Sequence, residues 1–170
     1  QHEAGGHGFG KLGDEYIYHN DFIQSCGCSC CPHVPELNYA HSLGWYQNLS
    51  LSGKMGDVPW RDFIFHEKYS TFVDIFEGGY MHNRGVYRSE QNSCMNNDIP
   101  YYSTISRESI VKRIKRYAGE TFSFEDFVAN DKREEGMSTR ALDAPWMRTS
   151  AHGYQHEPVI HKGSPRKSKR

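Results

Sequence analysis

The sequence predicts an α+β domain in which one short helix carries the chemistry. Three observations predict it. A glycine-rich segment at residues 1–12 holds metal-ligating side chains at near-helical spacing. Two later runs, 60–65 and 70–76, are rich in Phe, Ile, Val and Thr, the residues that suit a pleated, half-buried surface. Finally, Ile110, Val111, Ile114 and Tyr117 recur at i, i+1, i+4 and i+7, an apolar stripe on a helix over 103–117.

The first segment reads Gln1-His2-Glu3-Ala4-Gly5-Gly6-His7-Gly8-Phe9-Gly10-Lys11-Leu12-Gly13-Asp14-Glu15-Tyr16. Two helix-borne histidines with a glutamate beside the first form the zincin signature, in which the imidazoles hold zinc and the carboxylate acts as general base. Here the second histidine arrives one residue late. On an ideal helix i and i+4 lie about 40° apart, whereas i and i+5 lie about 140° apart. A one-residue π-bulge restores a common face, and Gly5 and Gly6 stand where the extra residue has to be absorbed. The helix is expected to end near Gly13, with Phe9 and Leu12 facing the core. A zinc site needs a third protein ligand and an open fourth position. Asp14 is the first choice, because Gly10 and Gly13 let the chain fold back; Glu15 and His19 are the next candidates. Ten histidines make a chance pair easy, but chance does not supply the adjacent Glu3, the glycines and the acidic pair as well.

Further blocks follow in order: Glu77-Gly78-Gly79-Tyr80, Gly85-Val86-Tyr87-Arg88-Ser89 and Asn92-Ser93-Cys94-Met95. Together with the first segment they resemble the IgA-peptidase-like family of bacterial zinc metallopeptidases, over about residues 2 to 117. The resemblance implies a zincin or metzincin-like catalytic domain with an active-site helix, a strand hairpin, a Met-turn and a C-terminal helix. Met95 would then be the Met-turn residue, an apolar floor beneath the metal. The implied cofactor is zinc, the implied substrate a peptide or protein, and the implied location secreted, cell-surface or periplasmic in a bacterium. The spacer of three residues between the histidines departs from the two of most members and leaves the ligand geometry to be seen. Because zincin-type domains place a sheet before this helix, residues 1–136 read as the C-terminal part of a longer catalytic domain.

Along the chain, Tyr16-Ile17-Tyr18 is a short aromatic stretch stopped by a turn at Asn20-Asp21. Cys26, Cys28, Cys30 and Cys31 crowd into six residues. Structural zinc usually takes thiolates in two separated pairs, so this reads first as a loop whose cysteines pair locally or stay free, and second as a soft-metal or redox site. Residues 35–59 read as a long irregular connection. Residues 80–84 and 85–88 are expected to form a hairpin, and a strand beside the cleft could bind peptide by strand addition. His82 on that hairpin is a second-choice ligand and is expected instead to be exposed. Arg88, Tyr101 and Tyr102 are the candidates for oxyanion or substrate contacts. After the helix at 103–117, whose Lys112, Arg113, Lys115 and Arg116 form a solvated basic face stopped by Gly119, Ser123-Phe124-Glu125-Asp126 approximates a capping box. The second short helix it opens should end before Gly136. Residues 137–170 form a polar extension whose last ten residues are expected to lack order.

At 170 residues the chain can build one domain with a real core. A formal charge of −1 gives no global basic surface, which argues against a nucleic-acid partner. No apolar run approaches the roughly 20 residues of a membrane span. The function expected is hydrolysis of peptide bonds at a zinc held by His2, His7 and Asp14, with Glu3 as general base. The alternatives are a catalytically silent zincin-fold protein that binds glycans or proteins, and a zinc hydrolase of non-peptide amides.

Overall fold

Phe76 to Arg88 forms the centre of the molecule. In the computed structural model, which describes residues 1–25 and 33–133, strand β3 (Phe76–Gly79) turns at Tyr80 into β4 (Met81–Arg88). The two pair antiparallel, with Phe76 opposite Arg88 and Gly79 opposite His82. The turn therefore lies at Tyr80, not at Gly85 as the sequence predicts. Tyr80 and Met81 both adopt left-handed backbone conformations, at φ 44° and 71°, which reverse the chain in the shortest span. Strand β1 (Ile17–Phe22) runs parallel to β4 through Ile17–Met81 and His19–His82, and β2 (Leu49–Ser50) pairs antiparallel with it through Arg88 and Tyr87. The result is one small mixed sheet within a mixed helix-and-strand fold. Asn20 and Asp21, expected to form a turn, continue β1, because the ladder with β4 holds them extended.

The helices pack around this sheet. A nine-residue π-helix, His2–Gly10, precedes β1. Helix α1 (His33–Ser42) and β2 occupy much of the stretch expected to be irregular. Leu37 and Ala40 of α1 are buried, which explains the helix: its apolar contacts lie one turn apart, a weak signal among polar neighbours. Residues 60–65 also differ from expectation. Arg61–Phe65 is a single helical turn, α2, which buries Phe63 beside Trp60 and leaves Phe65 outside. Residues 70–72 are turns, and the strand begins only at Phe76. Aromatic and β-branched residues favour strands through the neighbours they meet, and here those neighbours are helices. Trp60, Phe63, Tyr69, Val73 and Ile75 pack with Ile105 of α4 (Thr104–Ala118) and Phe127 of α5 (Phe124–Asn130) in the larger core. A second cluster joins Ile23, Leu37, Leu49, Tyr80 and Val86.

Helix α4 forms where expected, but its buried face is different. Thr104, Ile105, Ser106 and Glu108 are enclosed, whereas Ile114 and Tyr117 are exposed, because only its first turns lie against the core. Tyr117 instead meets Phe9 of the π-helix, at 6.1 Å between ring centroids, and Phe9 is exposed rather than in the core. Gly119 ends α4 in a left-handed conformation, and Ser123 caps α5 by accepting from Asp126 N–H at 3.1 Å. Lys112 and Lys115 make ion pairs with Glu108 and Glu120. No described helix is long and apolar enough to cross a membrane. The cysteine cluster at 26–31 and the extension at 137–170 lie outside the described residues.

Trp60 is fully buried, and its indole N–H donates to Asp74 O at 2.9 Å. Trp60→Phe should therefore cost about 1–3 kcal/mol, from a lost hydrogen bond and an underfilled cavity. Urea unfolding checks this; a loss below about 0.5 kcal/mol would class the site with ordinary surface positions.

Candidate metal centre

The π-helix solves the spacing problem of the two histidines. Gly6 N–H bonds to Gln1 O, and both Lys11 and Leu12 N–H reach back to Gly6 O. In this winding residues i and i+5 stand over one another, so His2 and His7 share a face. The wide turn is not confined to one residue; all of His2–Gly10 adopts it. Absent side chains permit this. A Cβ at Gly5 would stand 2.4 Å from the Tyr102 hydroxyl (Oη), and one at Gly6 2.3 Å from Met95 Sδ, both below any ordinary contact. The helix lies directly on Met95 and Tyr102 because those two positions are bare. It ends at Lys11, in a left-handed conformation at φ 53°, with its ammonium over the Trp45 ring. The reversal thus falls on Lys11, where Gly10 and Gly13 were the expected hinges.

The reversal delivers Asp14 to the histidines. His2 Nε2 lies 2.9 Å and His7 Nε2 3.0 Å from Asp14 Oδ1, and the two nitrogens are 3.1 Å apart. The outer nitrogens are held: His2 Nδ1 by Cys94 O at 2.9 Å and Asp98 Oδ1 at 2.8 Å, His7 Nδ1 by Leu12 O at 2.8 Å. With Nδ1–H donating outward, neutral imidazoles direct Nε2 lone pairs inward, towards a carboxylate oxygen. Three converging acceptors repel unless a proton or cation lies among them. In the metal-free chain a proton takes that place, and the hydrogen bond to Asp14, with the Cys94 carbonyl and the nearby Asp14 and Asp98 charges, raises the His2 pKa to about 9 against the opposing effect of burial. Two imidazoles and a carboxylate are a donor set that zinc accepts, as do other divalent transition metals. Glu3 adds a carboxylate, with one ligand atom from each of His2, Glu3 and His7 lying within 4.8 Å of the others. Glu3 and one edge of His7 are open to solvent, so the group is accessible from one side.

Support for this group comes from elements far away in sequence. Asn48, fully buried, accepts from Gly13 N–H at 2.9 Å and donates to Gly13 O and to Glu15 Oε1 at 2.8 Å each, clamping the segment that carries Asp14. Tyr80 N–H bonds to Asp14 O. Helix α3 (Cys94–Asn97) brings Cys94 O to His2 and Met95 O to Glu15 N–H, and places the fully buried Met95 under Gly6. Ser93 caps α3 and donates to Glu15 Oε2. Glu15 is consequently a buried structural acid, not a ligand. Burial pushes its pKa up to about 7, against the lowering effects of Ser93, Asn48 and Arg88. His19, the other alternative ligand, packs against Tyr18 and His82 instead.

The three contact candidates are placed differently from expectation. Arg88 is enclosed, donates to Gly78 O at 2.6 Å and faces the Glu15 charge. Tyr101 is buried and donates to Glu90 at 2.7 Å. Neither is presented to a substrate, because each compensates a buried acid. Tyr102 does stand beside the π-helix, but its hydroxyl donates to Gln1 O at 2.8 Å and so holds the start of the helix. His82 is fully buried rather than exposed, since β4 lies between β1 and β3 and its side chain points under α1.

Two residues that sequence reasoning passed over belong to the group. The ring of Tyr16 lies near-parallel to His2 at 6.1 Å, and its hydroxyl bonds to Asp14; burial and the Asp14 charge hold its pKa well above the usual phenol range. Asn48 is the other. Tyr16 sat in plain view beside the motif, but nothing in the spacing assigned it to Asp14, and Asn48 carries no local signal at all. No protein-family model matches the chain, and no curated protein and no solved structure matches it.

Proposed function

We propose that this chain is a zinc-dependent peptidase of zincin-like architecture. The observation that supports the reading is the convergence of His2 Nε2, His7 Nε2 and Asp14 Oδ1 within 3.1 Å of one another, with the Glu3 carboxylate beside them on the open side. His2, His7 and Asp14 would hold the ion. Bound there, zinc supplies Lewis acidity, which polarises a carbonyl and brings the pKa of water towards about 7. Glu3 takes the proton from the attacking water and returns it to the departing amine. Tyr16 keeps Asp14 oriented, and Cys94 O and Leu12 O keep both imidazoles in the tautomer that can ligate. Met95 closes the floor and excludes water from beneath the helix.

Zinc titrated into the chelator-stripped protein should bind, and an unfolded protein substrate should be cut only by the loaded form. Binding without turnover of peptides would favour the silent binding protein, or, if small amides are cleaved, the non-peptide hydrolase. Absence of zinc binding overturns the whole reading. The raised pKa of His2 adds a sign to the experiment. At pH 7 zinc has to displace the His2 proton, so binding should release about one proton from His2 in addition to any from water, and this contribution should fade as pH rises through about 9. Heats measured in buffers of different ionisation enthalpy count it. In the metal-free protein the same His2–Asp14 pair contributes stability that is complete below the unfolded value of 6.5 and lost as pH rises through about 9.

A further inference from the structure

A second group of imidazoles lies where β1, β4 and α1 meet. His82, on β4 and fully buried, stands between Asp21 of β1 and His33 at the start of α1. Its Nδ1 is 2.6 Å from Asp21 Oδ1, and its Nε2 is 2.8 Å from His33 Nδ1. His19, paired with His82 across the β1–β4 ladder, adds a third ring at 5.7 Å. None of these residues contacts the His2–His7–Asp14 group, and peptide hydrolysis has no use for them.

The arrangement has two features of a metal site, a pair of facing imidazole nitrogens and a carboxylate behind one of them, with solvent left to complete the coordination. The Asp21 carboxylate fixes His82 as the Nδ1–H tautomer, which leaves the Nε2 lone pair directed at His33. A carboxylate on the far nitrogen is one of the usual outer supports of a metal-ligating histidine. The spacing of the facing nitrogens, 2.8 Å, is close to the 3.1 Å of His2 and His7. Full burial of His82 costs desolvation that an apolar residue at this position would not incur, a cost offset by the partners on both ring nitrogens. Access is available too, since His19 is exposed and Asp21 and His33 are partly so.

We propose that His33 and His82 ligate a second divalent transition-metal ion, of the zinc or cobalt class that imidazole suits, with Asp21 orienting His82. Without metal the same atoms form a hydrogen-bonded chain from Asp21 through His82 to His33, so the site is preformed.

The test is zinc stoichiometry, repeated with cobalt, on the chelator-stripped full chain. His33→Ala should bind one equivalent fewer than wild type while its hydrolysis of a protein substrate stays unchanged. His7→Ala should keep the second equivalent, so that failure of this site and failure of the catalytic reading are scored separately. Asp21→Asn, which preserves bulk, should weaken this equivalent about 10–100-fold. Equal stoichiometry in wild type and His33→Ala, with both folded by circular dichroism, would overturn the proposal.

Discussion

Glu3→Gln should keep zinc and lose peptide hydrolysis by about 10²–10⁴-fold, the range that a positioned general base contributes. The substitution is nearly isosteric, and Glu3 lies on the exposed side of the π-helix, so neither fold nor ligand set should change. The outer partners of His2 and His7, Cys94 O and Leu12 O, do not involve Glu3 and stay in place. The amide cannot take a proton from water, and that step alone is removed. The loss should fall on kcat rather than KM, because the carboxylate acts in the transition state and not in substrate binding. Unchanged turnover in a zinc-loaded Glu3→Gln would remove the assigned base. Loss of zinc together with activity would show instead that the carboxylate holds the ion.

Gly6→Ala should damage the fold and the histidine group together. The new methyl would lie 2.3 Å from Met95 Sδ and 3.0 Å from its Cε, and Met95, fully buried, has little room to swing away. Overpacking of this kind costs about 1–3 kcal/mol. The displaced turn also carries His7 away from Asp14, so zinc affinity should fall in step with stability. Met95→Ala alone should cost about 2–5 kcal/mol through the cavity it leaves. Because the clash and the cavity occupy the same space, the double variant should be less damaged than the sum of the singles, with a coupling of at least about 0.5 kcal/mol. Strictly additive losses would mean that the helix does not rest on the methionine.

The convergence of His2, His7 and Asp14 was legible in the sequence to the extent that it is local. His2, Glu3, His7 and Asp14 lie within one short stretch, and the late second histidine already required a wide helical turn, with glycines supplying the room. Ser123 capping α5 and Gly119 ending α4 were also readable, because each depends on residues only a few positions apart.

Elsewhere the local signal pointed the wrong way. Residues 60–65 look like a strand and form a helical turn because Trp60 and Phe63 need to reach α4 and α5. The stripe of Ile114 and Tyr117 looks buried and is not, since only the first turns of α4 are enclosed by the core. Arg88 and Tyr101 look available for a substrate and are instead committed to the buried surroundings of Glu15 and Glu90.

By itself, then, the sequence determined which residues could meet at a metal and how the helix that bears them must wind, since both follow from spacing and from the small size of glycine. Only the tertiary structure decided what holds that group in place. Asn48, Cys94, Met95 and Tyr102 arrive from distant segments, and the burial of His82 beside Asp21 and His33 depends on β1, β4 and α1 coming together. Contacts across such separations are set by how the core closes, and closure is a property of the whole chain that no short window of residues expresses.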